Sequence, residues 1–557
     1  MAAPTGGAAT PEGPWPAMMR PLVCIGWDGA TWDVLGPLLQ QGHLPFLAAA
    51  LDGGVRGDLR STIPPITAPA VPTMFTGLNP GKTGLFTLLH RDGSPVSLGE
   101  AGCEAVWDVL SRAGRRSLVG AVPFTAPPHP ILGIMLSRVG TGKGWAGRDH
   151  RTADFTSYPA ELTEHPSVQR LAGLEAERAA AMRRRRPDQA HLATIRLAAH
   201  RELWAFYGDV LPREEPDVAI LWDYTSDEVQ HWEWGCDERL AEHFAAMDRS
   251  LQALAEAHPE ASFVLVSDHG CATGPTRSFY PNSWLRSQGL ARPWRRVPPV
   301  SGCAPLRRIM RSLVRPQTLS RWKRAWVRRV RGGEGSGAEG NGGVPPEAGW
   351  LPWVSRRDSR AYHADVYWGI HINHGLVPPE EAADLAGRIA AGLRTIRDPE
   401  GREVVLEAWP REAVYCGPHV EQLPDVVFLT LPEYCPHPYA GGGLFGGYPA
   451  GEAGRTGAHY SAREGILAAW GPGIGRGQVA GDVQDIAPTL LWLAGVPLPD
   501  DLDGRPLVGL ASEATRRHLG EPTRQPAQRR EPSAPPVYAP EELAAIEQRL
   551  RSLGYVD

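Results

Sequence analysis

The chain contains no apolar run of about eighteen residues, so no transmembrane helix is expected. Its first twenty residues, MAAPTGGAATPEGPWPAMMR, lack the apolar core of a secretory signal and read as a disordered leader (1–20). Its seven cysteines are odd in number and scattered without a C-x-x-C pair, which speaks against a disulfide framework or a cysteine zinc site. Reduced thiols in a cytoplasmic setting are the expectation. A large excess of either charge is also lacking: the net charge is -5 over 557 residues, which offers no bulk attraction to nucleic acid or an anionic membrane. What is abundant is glycine (63) and proline (54), so many loops are expected.

The apolar runs Leu22–Ile25, Val218–Trp222 and Phe263–Val266 are short and continuous, as buried parallel strands are. Each leads into a polar motif; helical patterns lie at 31–51 (stopped by Gly53-Gly54), at 167–211 before the second run, and at 237–257 between the second and third. Strand, motif, helix in succession predicts an α/β fold: a doubly wound, mostly parallel central sheet flanked by helices, with ligands beyond the carboxyl ends of the strands. One catalytic domain over 21–510 is expected, with cap insertions at about 141–215 and 291–349. The first carries the basic run 183–186. The second carries ten Arg and Lys between 307 and 331, with Trp322 and Trp326 interleaved, then a Gly-rich stretch. Basic, aromatic-studded helices can touch nucleic acid or membrane, but a solvated face is the commoner role. A helix at 378–396 and strands at 424–430 and 465–474 follow. Residues 511–537 read as a Pro-rich linker, and 538–557 as an amphipathic helix with Leu543, Ile546, Leu550 and Leu553 on one face.

The motifs at the strand ends are rich in metal-ligand chemistry. Asp28 closes the first strand. Asp227 and His231 in DYTSDEVQH are four apart, which on a helix puts both on one face. Asp268 and His269 in VLVSDHG are adjacent, so they can reach two ions or approach one from two sides. His459 in GAHY completes the set. An Asp–His pair alone is more often a loop contact; five fragments at strand ends point further. Oxygen and nitrogen donors without cysteine suit two divalent cations, zinc first and manganese or iron also. Thr67, in TIPPITAPAVPTMFTG, precedes a predicted helix at Ala70–Phe75. A threonine there is ordinarily a cap. It is also where backbone N–H groups can face a phosphate, and a cation can activate its hydroxyl.

Taken together, GWDGATWD, PPITAPAVPTMFTGLNPGKTG, DEVQH, VSDHG and GAHY resemble the alkaline phosphatase superfamily over residues 21–510. Within it the likeness is to the type I phosphodiesterase/nucleotide pyrophosphatase branch, especially its bacterial phosphohydrolase/phosphomutase group. The resemblance implies Asp28, Thr67, Asp268 and His269 around one zinc, and Asp227, His231 and His459 around the other. It implies in-line attack by Thr67, a phosphothreonine intermediate and a small phosphate-ester substrate, most readily a phosphodiester or nucleotide pyrophosphate. Phosphomutase or head-group transfer chemistry is the alternative within the superfamily, and a catalytically silent binding protein the alternative outside it.

Departures from the pattern lie in the substrate contacts. The branch has an asparagine about twenty residues past the nucleophile, where Leu88 is found here, so the phosphoryl oxygen needs another donor, for which Asn79, Lys82 and Arg91 are candidates. GLNPGKT is not a phosphate-binding P-loop, because Thr76 stands where the first glycine belongs. Thr67-Ala68-Pro69-Ala70-Val71 lacks the Cys or Ser and the Arg of a sulfatase. Trp222, Trp232 and Trp234 flank the DEVQH segment and could stack on a base, though core packing is the commoner role.

Overall fold

A computed structural model of the protein describes residues 21–88, 96–138, 155–182, 188–292, 354–364, 369–438, 443–448 and 456–531. The leader, Arg91, the basic runs 183–186 and 307–331, and the C-terminal helix expected at 538–557 lie outside the described residues. No helix among the described residues is long and apolar enough to cross a membrane.

The chain divides into two compact units where one domain was expected over 21–510. The first unit holds the described residues of 21–274, with 415–420 and 456–531. Its centre is a ten-stranded sheet. Its first seven strands are β1 (Leu22–Trp27), β2 (Val55–Arg60), β3 (Ser117–Gly120), β4 (Gly133–Arg138), β5 (Phe155–Tyr158), β6 (Val218–Asp223) and β7 (Ser262–Val266). β1 lies between β6 and β7 and runs parallel to both, with Leu22 level with Val218 and Ser262. All three are buried along their whole length, which explains their unbroken apolar sequence.

The strand Glu464–Trp470 pairs antiparallel with β7 on one side and with β2 on the other. This arrangement sends β1, β2, β6 and β7 toward one edge of the sheet, and the antiparallel strand enters from that same edge. Asp28, Thr67, Asp227, Asp268 and His269 follow those four strands, and His459 precedes the fifth. The sequence-distant fragments therefore converge because of strand direction alone.

The helices differ from expectation in detail. The pattern at 31–51 is two helices, Trp32–Gln40 and Pro45–Gly53. Gly42, at a φ of +78°, turns the chain between them, and Pro45 opens the second. The helix after β2 begins at Thr67, three residues earlier than expected, and ends where Gly77 takes the left-handed conformation. The first expected insertion is partly core: β5 forms the edge of the central sheet, antiparallel to β4, and the helices Pro166–Met182 and Gln189–Glu214 follow. Part of the expected linker is also ordered. Ser512 caps the helix Glu513–Leu519, and Arg524–Gln525 pairs with Leu498–Pro499.

The second unit holds the described residues of 275–414 and 421–448. Ala361–His363, Ile370–Ile372, Val426–Thr430 and Val405–Pro410 form an antiparallel sheet. The helix Pro379–Arg394 belongs to the same core through Leu385, Ile389 and Leu393.

Candidate metal centre

Six of the seven expected side chains are buried, and Thr67 is half-buried. Asp28, Asp268 and His269 offer donor atoms within 4.8 Å of one another, and so do Asp227, His269 and His459. His269 is thus common to both groups, whereas the resemblance implied it at one ion. Its Nε2 lies 3.3 Å from Asp268 Oδ2, 3.8 Å from Asp28 Oδ1 and 3.2 Å from Thr67 Oγ1. His231 stands beside the second group, its Nε2 3.2 Å from Asp227 Oδ1, while His459 Nε2 is 4.0 Å from that oxygen. The His269 and His459 rings stack at 4.1 Å between centroids.

All three imidazoles are held alike. Nδ1 of His231, His269 and His459 faces the carbonyl of Gly457, Gly270 and Pro65, at 2.8, 2.9 and 3.1 Å. A carbonyl oxygen only accepts, so Nδ1 carries the proton and donates it. Each Nε2 is left with a lone pair facing the carboxylates, which is how metal-ligating histidines are oriented by their surroundings.

The carboxylates fit a cation equally well. Asp28 Oδ2 accepts from the Trp222 indole, and Asp268 Oδ1 accepts from Gly29 N–H. Their other oxygens, Asp28 Oδ1 and Asp268 Oδ2, are buried and accept no hydrogen bond among the described residues. Burying such oxygens without a partner is costly, and a divalent cation is the partner they lack. Burial pushes Asp28 well above the usual carboxylate range, with Asp268 and Asp227 adding to the effect. Asp268 is pushed up to about 7 by burial, against the Gly29 N–H bond that favours its ionised form. Gly29 itself has a φ of +66°, and a Cβ there would come within 3.0 Å of Asp227 Oδ1.

Thr67 is not a cap: Ile66 occupies the cap position and Thr67 is the first helical residue. Pro69 has no N–H, so this helix start offers a phosphate fewer donors than its position suggested. Asn79 and Lys82 are held in a structural latch instead of the acidic cluster. Asn79 Oδ1 caps Pro80–Thr83 through Gly81 N and also accepts from Cys416 N; Lys82 Nζ pairs with Asp503 at 2.8 Å.

Residues 22–454 match the type I phosphodiesterase/nucleotide pyrophosphatase family. The chain belongs to that family. It is accordingly a metal-dependent phosphoester hydrolase, as the motifs led one to expect. No curated protein matches the sequence. Among solved structures, alkaline phosphatase PafA is similar at a TM-score of 0.50 and 13% identity, over 88% of this chain and 99% of that one, which bears on the fold. Phosphonoacetate hydrolase from Sinorhizobium meliloti, solved with phosphonoacetate, gives 0.47 and 15% over 82% and 90%. Murine ectonucleotide pyrophosphatase/phosphodiesterase 5, an inactive variant with AMP, gives 0.45 and 11% over 88% and 100%.

Sequence reasoning passed over two residues beside the site. Asp223 ends β6 and is fully buried. Its carboxylate accepts from His200 Nδ1 at 2.6 Å, Trp204 Nε1 at 2.7 Å and Thr225 Oγ1 at 2.6 Å, while its backbone carbonyl accepts from Asp28 N. Its place at a strand end, like that of Asp28, was the available signal. Arg463 donates Nη2 to Ser61 O, tying the start of the strand Glu464–Trp470 to the loop before Thr67. Of the three tryptophans, Trp222 is fully buried and not open to a base.

Proposed function

We propose that this site cleaves phosphodiesters or nucleotide pyrophosphate-type bonds with Thr67 as nucleophile and two divalent cations, zinc or manganese, as cofactors. One observation carries the reading: the Thr67 hydroxyl lies 3.2 Å from His269 Nε2, the donor shared by both ligand groups. Asp28, Asp268 and His269, with Thr67, would hold one ion; Asp227, His231 and His459 would hold the other. When bound, such ions polarise phosphoryl oxygens, make a hydroxyl acidic enough to attack, and neutralise charge on the departing oxygen.

The chain's own residues do the rest. Thr67 is fixed at a helix start, so its Oγ1 is presented in one orientation. Oγ1 loses its proton and forms a bond to phosphorus as the bond to the ester oxygen breaks. The leaving group takes that bonding pair and a proton. Water then attacks the phosphothreonine, releasing the phosphoryl product and restoring the hydroxyl. The three histidines keep their Nδ1 protons on backbone carbonyls, so they act as ligands and not as proton carriers.

Hydrolysis of bis-p-nitrophenyl phosphate beside p-nitrophenyl phosphate, by metal-loaded protein and by Thr67→Ala, tests the reading. Diester cleavage that disappears in the variant is expected. Diester cleavage that survives it would overturn the role of Thr67, and preference for the monoester would overturn the substrate class.

A further inference from the structure

Trp222 is built into the site in a way that stacking or core packing does not account for. It lies on β6 level with Gly26 of β1. In a parallel pair, side chains at level positions project from the same face. Gly26 has no side chain, so the indole crosses it: a Cβ at Gly26 would fall 2.0 Å from Trp222 Cε3. Crossing the neighbouring strand brings the indole N–H to Asp28, where it donates to Oδ2 at 3.1 Å. The same ring meets Phe75, on the helix that begins with Thr67, edge-on at 6.0 Å between centroids.

The bond divides the labour of the Asp28 carboxylate. Oδ2 is taken by the indole, while Oδ1 is buried without a hydrogen bond and lies on the His269 side. A carboxylate on a short side chain can swing either oxygen forward. A donor fixed to one oxygen selects the rotamer that offers the other. Trp27 supplies a contrast: it is also fully buried, one residue from Asp28, yet its indole N–H has no hydrogen-bond partner among the described residues.

We propose that Trp222 is a positioning residue for the Asp28–Asp268–His269 cation, acting by locking Asp28 with Oδ1 turned to the ion. The inference rests on the reading of Asp28 as a metal ligand. Outer partners of ligands typically set affinity by about ten- to a hundredfold. The effect is selective, because the Asp227, His231 and His459 side chains are oriented from other elements.

The test is calorimetric titration of metal-free protein with Zn²⁺, for wild type, Trp222→Phe and Trp27→Phe, with thermal melting of each metal-free protein. In Trp222→Phe, one of two binding events is expected to weaken by about ten- to a hundredfold while the other is unchanged. Trp27→Phe should alter neither. If Trp222→Phe does not fold, benzothienylalanine at position 222 keeps the ring shape and removes only the N–H, and the same selective loss is expected. Two unchanged binding events, or both weakened together with a lowered melting point of the metal-free protein, would overturn the inference. Absence of any Zn²⁺ binding by wild type would instead overturn the metal reading on which it rests.

Discussion

The Thr67 hydroxyl faces Nε2 of His269 at 3.2 Å, and the opposite nitrogen of that ring is committed to the Gly270 carbonyl. Nε2 is therefore the ring atom turned to the hydroxyl and the acidic cluster. Replacing Thr67 with Ala should lower kcat by about a thousandfold or more, as loss of a nucleophile does. Thr67→Ser keeps the oxygen and should retain a measurable part of the rate. Because Ile66 and not Thr67 occupies the cap position, neither variant should shift the urea midpoint appreciably. Steady-state kinetics beside urea unfolding checks both halves; a large stability loss in Thr67→Ala would mean the residue is structural.

Gly29 makes a second, steric prediction. Its φ of +66° costs a residue with a Cβ about 1–2 kcal/mol. The added methyl would also press on Asp227 Oδ1 at 3.0 Å and His269 Cε1 at 3.3 Å. Gly29→Ala should therefore weaken binding in both ligand groups, by about tenfold or more. Competition with a chromophoric chelator measures this. Unaltered affinity would show that Asp227 and His269 have room to move.

Much of this was readable in advance, for a physical reason. β1, β6 and β7 are buried along their whole length, so their sequences are nearly unbroken apolar runs; Asp28 and Asp268 stand just past two of them, and Asp227 in the helical motif after the third. The sharing of His269 was not readable. It depends on the antiparallel entry of Glu464–Trp470, which brings His459 to stack on it. The early start of the Thr67 helix was hidden by Pro69, which reads as loop but sits within it. Asn79 and Lys82 looked free for substrate because their partners, Cys416 and Asp503, are more than three hundred residues away. The ordered part of 511–531 was missed because its stability comes from contacts such as Thr515 Oγ1 with Gly473 O, not from its own composition.

The buried group behind the site should make stability pH-dependent. His243 lies against His200 and shares Thr225 Oγ1 with Asp223. Burial, with the charge of His200 adding, depresses its pKa from 6.5 to about 3. The folded protein thus keeps this ring neutral while the unfolded chain protonates it below 6.5. Its contribution is complete above that pH and is lost as pH falls toward about 3. Between pH 6.5 and 5 the loss amounts to about 2 kcal/mol. Urea midpoints at pH 7 and 5 should fall further apart in wild type than in His243→Gln, which can still bond Thr225 but does not titrate. Equal separations would show that the ring is protonated in the folded state.

Breaking the neighbouring pair should be more damaging. Asp223 is buried, yet it is held below the usual carboxylate range: burial alone would raise it, but the charge and hydrogen bond of His200 prevail. Asp223→Asn leaves that ring without its charged partner and typically costs about 3–5 kcal/mol. Urea unfolding of the single variants and of Asp223→Asn with His200→Gln measures the coupling. Strict additivity would mean that the two side chains do not stabilise one another.

The last prediction concerns the acidic cluster itself. Asp268 and Asp227 raise the pKa of Asp28, Asp227 raises that of Asp268, and an oxygen of each of Asp28 and Asp268 is buried without a hydrogen bond among the described residues. Such a cluster destabilises the fold until a cation enters, so metal should act as a stabilising ligand of the folded state. A single ion at a hundred times its dissociation constant adds about 2.7 kcal/mol. Chelation should lower the unfolding midpoint and abolish hydrolysis together, and Zn²⁺ or Mn²⁺ should restore both. Asp28→Asn removes one negative charge, so its metal-free form should melt no lower than wild type while its gain on loading shrinks. An unfolding midpoint indifferent to both ions would sink the assignment of this cluster as a cation site, because three buried carboxylates cannot bind a divalent ion without being stabilised by it.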